Sequence, residues 1–321
     1  MIIPLLIRIH SNRNIHGIAM ERLYEFYKIT RQGFHSAHKR VLAETKMMDF
    51  ISAQVRKYRL TKDRRAGSRF LYYNLSIKSS YNIGVTKFER LMSDYGLTLL
   101  QLRVKVITTQ SCLRSWNYSN LCNGLIINGI NQLVVGDLTY IAIGKKRYYL
   151  FCLTDVFSAR IVGHHISHRM RKQEALKAFK QWIKLRSKEN LVSCIHHTDG
   201  GSQYFSKQYV SEMNNKKLQI SVAKSCLENG YAEQKNGVIK NHLIPTINAS
   251  SQVGIERELS KSIKYYNAER QQENLGWRSP NQFELDMQTN KNQCQIVLHD
   301  HKQNLPSQRM GFSRHKAAKK T

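Results

Sequence analysis

The chain has 321 residues, enough for about two or three domains, and 41% are hydrophobic, an ordinary fraction for a folded protein. Lys and Arg outnumber Asp and Glu 51 to 22, and the resulting formal charge of +29 is spread along the whole sequence, so the expected partner is a polyanion: DNA, RNA or an anionic membrane. A spanning helix is not expected, because no stretch approaches about 18 to 20 uncharged apolar residues, and Arg8 and His10 break the apolar opening before it can serve as a signal peptide. These features predict a cytoplasmic protein whose six cysteines, lacking any Cys-x-x-Cys pair, are free thiols. His35 and His38 have no cysteine pair to complete a zinc module.

Residues 1–19 fit poorly with the rest of the chain, and a cleaner amphipathic segment begins at Met20. Met20 to Tyr27 and Thr30 to about Leu42 predict two helices around a short turn, with Thr30 as N-cap, which is helix-turn-helix spacing and equally that of a plain helical hairpin. From Ile51 to about Lys105 a second basic helical module is expected, with Phe88, Leu91 and Met92 at helical intervals and a stop at Gly96. Residues 20–105 thus form a basic helical region, and 106–130, rich in Ser and Asn near its centre, a linker.

The pattern changes at Asn131. Leu133-Val134-Val135, Tyr148 to Leu153 and Ile161-Val162-Gly163 predict three strands; Glu174 to about Arg186 predicts a helix and Val192 to Ile195 a fourth strand. A helix from Lys207 to about Lys216, a strand over Gln219 to Val222 and a helix from Asn229 to about His242 complete an α/β mixed sheet covered on both faces, assigned to residues 131–285. The tail, 286–321, is expected to be basic and disordered.

A chain this basic has few acids to spare. Asp137 ends one apolar strand, Asp199 follows another, and Glu233 lies in a helical stretch; adjacent central strands end close together, so the two aspartates can share a metal and a helix carboxylate can complete the site. Singly, each acid reads more readily as a strand-end or cap residue; it is the three together, with the fold pattern, that point to a site. In a continuous helix Asn229, Glu233 and Lys240 project from one face, placing the lysine to hold a phosphate. Gly200 and Gly201 permit a tight turn and close approach by DNA, His197 is placed to orient the site, and Asp155 reads as a turn cap. Tyr265, Tyr266 and Trp277 read as core rather than base-stacking residues.

Gly136-Asp137-Leu138-Thr139-Tyr140-Ile141, His197-Thr198-Asp199-Gly200-Gly201-Ser202-Gln203-Tyr204 and Glu228-Asn229-Gly230-Tyr231-Ala232-Glu233 resemble the three signatures of bacterial insertion-sequence transposases. The group is the second-reading-frame product (OrfB) of insertion-sequence family 3, related to retroviral integrases. The similarity continues through Lys240, Tyr265-Tyr266-Asn267, Arg270, Leu275-Gly276-Trp277 and Ser279-Pro280, and reaches back into the basic modules. It implies a ribonuclease-H-like core with an Asp-Asp-Glu site, Asp137, Asp199 and Glu233, using Mg²⁺, with Mn²⁺ as substitute, to cut and join DNA. Asn229, Lys240, Gly200, Gly201 and Arg270 become candidate DNA contacts.

The spacing from Asp199 to Glu233 is two residues shorter than the family pattern, and counting blindly would land on Lys235. Placing the deletion in Lys224-Ser225-Cys226-Leu227 restores the asparagine before the acid and the lysine after it; Glu228 is the competing third ligand. The implied partners are double-stranded transposon ends and target DNA, further copies in a synaptic complex, and an upstream-frame helix-turn-helix protein, in a cytoplasmic, nucleoid-associated setting with no membrane. A non-catalytic DNA-binding regulator, a decayed remnant and a structure-specific nuclease are the other classes consistent with the charge.

Overall fold

A computed structural model describes residues 2–12, 19–100, 118–223, 226–289, 294–297 and 314–316. Ile2–Ser11 (α1), Met20–Phe26 (α2) and Arg31–Thr61 (α3) meet around Leu6, Met20, Tyr24 and Phe34, so the poorly matched leader supplies a helix to the expected pair. Thr30 caps α3, its hydroxyl accepting from the Gly33 N–H at 3.0 Å. The helix runs far past Leu42 because Met48, Ile51, Val55 and Tyr58 continue one apolar stripe. That stripe packs on Ser68–Asn74 (α4), Ile77–Tyr81 (α5) and Val85–Asp94 (α6), and the last of these is followed by a stop at Gly96, with φ of 65°.

After Ile126–Ile127 (β1), the strands Leu133–Ile143 (β2), Lys146–Asp155 (β3) and Ile161–Ser167 (β4) form an antiparallel meander. Lys172–Leu185 (α7), Ile195–Thr198 (β5), Lys207–Asn215 (α8), Gln219–Val222 (β6) and Gly230–Val238 (α9) follow. The sheet order is β4-β3-β2-β5-β6, with β5 parallel to both neighbours, which is the expected ribonuclease-H-like mixed sheet. Alternation divides its side chains: Val134, Phe151 and Leu153 pack under α7 and α8, whereas Ile141, Leu150 and Cys152 meet Gln252–Ala268 (α10) and the segment before it. Central strands buried on both faces explain the continuous apolar run of β3.

Several expectations need correction. The fourth strand is Ile195–Thr198 rather than a run from Val192, because Ser193 has φ of 65° and the Cys194 N–H bonds the Leu191 carbonyl at 3.0 Å, turning the chain there. The helix expected to continue to His242 instead becomes a π turn at Ile239–Leu243 and a 3-10 turn at Ile244–Thr246. Pro245 has no N–H and crowds the carbonyl four residues back, which accounts for the widened turn.

The tail expected to be disordered contributes structure. Pro280–Thr289 (α11) runs past 285, and Cys294–Val297 (β7) pairs with β1 and with Arg314–Lys316 (β8). Ile296 is buried in a cluster with Ile127 and Phe283, apolar contacts that a basic overall composition conceals. Residues 118–130, expected as linker, also pack: the Val222 N–H donates to the Ser119 carbonyl at 3.2 Å and the Leu121 N–H to Ser221 Oγ at 2.9 Å. Residues 106–117, Lys224 and Ser225, and most of the tail lie outside the described residues.

Candidate active site

Strand register brings the first two acids together. Gly136 pairs with Thr198 across the parallel β2–β5 ladder, so Asp137 and Asp199 come next on strands about 4.8 Å apart. In the turn after β5, Gly200 has φ of 80° and the Gly201 N–H donates to Asp199 Oδ1 at 3.1 Å. A Cβ on Gly201 would stand 2.8 Å from Gln203 Oε1 and 3.2 Å from Asp199 Oδ1, so a side chain there would crowd the carboxylate.

Helix α9 carries the third acid. Asn229, just ahead of it, donates its amide to the Gly136 carbonyl at 3.3 Å, and Asn236, within the helix, donates to Asp137 Oδ2 at 2.6 Å. These two bonds lay α9 against β2, with the exposed Glu233 between them. Burial first, then the charge of Asp199 and more weakly that of Glu233, push the Asp137 carboxyl up to about 7 against the pull of the Asn236 amide. Burial and then Asp199 also raise Glu233. Asp199 keeps one side open to solvent, yet the protein around it removes enough hydration to raise it, against the Gly201 N–H.

Glu228 sits in different company. Its carboxylate takes the Asn120 amide at 2.8 Å, and its charge acts on Cys122 and His197, whereas the carboxylates acting on Asp137 are Asp199 and Glu233. Lys235, the residue a blind count reaches, is buried with its ammonium 5.1 Å from the Tyr231 ring centroid.

Among the described residues no three His, Cys, Asp or Glu side chains stand in a metal-holding arrangement, so the three acids share a field without being drawn to coordination distance. Their donor chemistry nevertheless fits a hard divalent cation: the set is all carboxylate oxygen, and a bound cation would relieve the repulsion that raises Asp137.

Both histidines before Asp199 are buried and neutral, pushed down to about 4 chiefly by burial. His196 Nδ1 donates to the Val134 carbonyl at 3.0 Å, leaving Nε2 to accept from the Tyr209 hydroxyl at 2.8 Å. On the other face, His197 Nε2 donates to the Glu228 carbonyl at 3.2 Å and Nδ1 accepts from Ser221 Oγ at 2.8 Å. His197 thereby ties the strand that leads to Asp199 to the turn that leads into the Glu233 helix.

Two expected DNA contacts are engaged within the protein. Asn229 is 2% exposed and donates to the Gly136 carbonyl; Arg270 is 8% exposed, donates to Asp63 Oδ2 at 3.1 Å and lies 4.5 Å from the Phe70 ring centroid, so each spends its polar group inside the protein. Lys240 is exposed, but in the π turn, and Asn229 precedes the helix, so no continuous α-helical face carries Asn229, Glu233 and Lys240. Asp155 caps its turn as expected, accepting from the Asn131 and Ser158 N–H groups at 2.8 and 2.9 Å. Tyr266 is core, and Trp277 stacks on Tyr73 with centroids 3.8 Å apart. Asn236 was missed, although its place one turn beyond Glu233 was a usable signal.

Residues 128–225 match the family model for the integrase core domain, a segment that includes Asp137 and Asp199 and stops short of Glu233. The uncharacterized 31 kDa protein of insertion element IS600 from Shigella sonnei is 27% identical over 266 residues, 81% of this chain and 96% of that protein. Transposase InsF for insertion sequence IS3A of Escherichia coli (strain K12) is 29% identical over 165 residues, 49% of this chain and 55% of its own length. The HTLV-2 integrase catalytic core domain, solved in complex with magnesium, is similar with a TM-score of 0.40 and 21% identity, covering 51% of this chain and 99% of that one. The chain thus carries a segment that matches the integrase core domain and is similar, over much of its length, to proteins of bacterial insertion sequences, transposases among them.

Proposed function

We propose that this chain cuts the ends of its insertion sequence and joins them to target DNA at an Asp-Asp-Glu site formed by Asp137, Asp199 and Glu233. The observation that carries this reading is the register that sets Asp137 beside Asp199, with Glu233 in their shared field. The three carboxylates would hold Mg²⁺, or Mn²⁺ in its place; bound there, the metal supplies Lewis-acid stabilisation of a phosphodiester under attack. Asn236 fixes the Asp137 carboxyl, the Gly201 N–H fixes that of Asp199, and His197 aligns the turn ahead of Glu233. Lys240 is the remaining side-chain candidate for a DNA phosphate, and the Gly200–Gly201 turn lets the backbone come close.

Residues 20–105 are proposed as the DNA-binding region and 131–285 as the catalytic core, acting on duplex transposon ends and target in a synaptic complex of several copies. An upstream-frame helix-turn-helix protein is the proposed further partner, in a cytoplasmic setting at the nucleoid. Among the described residues no helix is long and apolar enough to cross a membrane. The test is cleavage and joining of a duplex carrying the element's ends, with Mg²⁺ or Mn²⁺. Asp137→Asn, Asp199→Asn and Glu233→Gln should each abolish both reactions while DNA binding persists. Retained activity in Glu233→Gln together with its loss in Glu228→Gln would assign the third acid to Glu228. Wild-type binding with no metal-dependent cleavage would favour a regulator.

A further inference from the structure

The β2–β3 hairpin ends in a group of cations that the active site leaves unused. Lys145, Lys146 and Arg147 are exposed at its tip, and Arg169, Arg171 and Lys172 are exposed just after β4. The two segments are stitched together. The His168 ring contacts Tyr148, centroids 4.0 Å apart, and its Nδ1 lies 3.4 Å from the Arg147 carbonyl. Tyr140, 56% exposed and paired across the hairpin with Tyr149, directs its hydroxyl to Met170 Sδ at 3.8 Å.

Among the described residues none of these six cations forms an ion pair, although Glu256 on α10 comes near the end of β4, sharing Gln252 Nε2 with the Ile166 carbonyl. From Leu138 to Glu174 the sequence holds two acids, Asp155 and Glu174. Asp155 is 1% exposed and committed to its turn, and Glu174 is 8% exposed and bonded to His165 and Lys177. Six exposed cations beside an exposed tyrosine, none of them ion-paired among the described residues, make a favourable arrangement for a polyphosphate.

We propose that this hairpin surface is a second backbone-gripping site for duplex DNA, separate from the carboxylates. It rests on the reading that the chain acts on DNA. Strand β2 carries the chain from Asp137 to Ile143, a reach of about 20 Å before the Gly144–Lys145 turn, which is about six base pairs of duplex at about 3.4 Å per step. The site therefore holds DNA flanking the reacting phosphodiester, through phosphates and without reading sequence.

The test is the salt dependence of binding to a random 40-base-pair duplex by the full chain. Each phosphate no longer neutralised should lower the log–log slope by about 0.9, so Lys145→Ala/Lys146→Ala/Arg147→Ala should reduce it by about two to three. Removing the same charge from α7 and the loop after it, in Lys180→Ala/Lys184→Ala/Lys188→Ala, should change it by less than about one. Equal reductions in the two variants, or none in the hairpin variant, would overturn the proposal. So would a loss confined to single-stranded DNA. Should the triple variant not fold, Lys145→Glu alone must still weaken duplex binding several-fold. Because binding is the readout, a reduced slope in a protein that never cleaves DNA would keep this surface and remove only the active-site reading.

Discussion

Arg270 donates from Nε to Asp63 Oδ2 at 3.1 Å, joining two residues 207 positions apart. Asp63 is wholly buried at the end of the long helix α3, and His242, in the π turn after the Glu233 helix, also bonds it, Nδ1 to Oδ1 at 2.7 Å. The Arg64 N–H donates to the His242 carbonyl at 2.9 Å, closing a clamp between the basic helical region and the segment that follows α9.

Removing one partner of a buried ion pair leaves the other charge without compensation. Arg270→Ala should therefore lower unfolding free energy by about 3–5 kcal/mol, and the double variant with Asp63→Ala by clearly less than the sum. Urea denaturation measures both. Additive losses below about 1 kcal/mol each would show that the clamp carries no stability.

The same carboxyl gives a pH signature. Burial works against its charge, yet the His242 hydrogen bond and the Arg270 charge hold Asp63 below the usual carboxylate range. The unfolded chain then takes up its proton at a higher pH than the folded one, so the contribution is complete above about pH 4 and is lost as pH falls through the folded value. Comparing wild type with Asp63→Asn isolates it from other acids. The gap in stability between them should narrow below about pH 4, and a constant gap would refute the assignment.

Asn236 is expected to act as a positioning residue through Asp137. Asn236→Ala should raise the Mg²⁺ concentration for half-maximal cleavage by about ten-fold or more, the usual cost of losing a group that orients a metal ligand. Excess Mg²⁺ should recover most of the rate. An unchanged metal requirement with a lower maximal rate would mean that Asn236 does not act through metal affinity.

Lys240→Ala should weaken productive binding of transposon ends while metal binding persists, because the carboxylates are untouched. Lys240→Arg should restore this in part, since the guanidinium is longer and planar. Moving the charge, with Lys240→Ala and Asn241→Lys, should not restore it. Full recovery by the displaced lysine in a strand-transfer assay would reduce Lys240 to general positive charge.

The sheet was legible because its strands are apolar runs bounded by turn residues, a local signal that survives without tertiary context. The pairing of Asp137 with Asp199 followed from topology alone. Three things were hidden, each for a physical reason. The course of α3 past Leu42 depended on partners forty residues away, among them Phe88 and Leu91. The π turn came from Pro245, whose effect falls on residues before it. Arg270 looked like a phosphate contact because nothing local announces a partner at Asp63. Asn236, by contrast, stood at helical spacing from Glu233 and could have been read.

The pairing of β1 with β7 has a practical meaning for anyone dissecting the molecule. Ile127, Ile296 and Phe283 close one apolar cluster from opposite sides of the core, so a fragment trimmed to 131–285 would lose two of the three and bare the rest. Such a piece would keep every proposed catalytic residue and still precipitate, its exposed rim seeking neighbours. The unit to express therefore runs through Val297 and keeps the helical region ahead of the core, which supplies Asp63 and Phe70 to Arg270 and Tyr73 to Trp277.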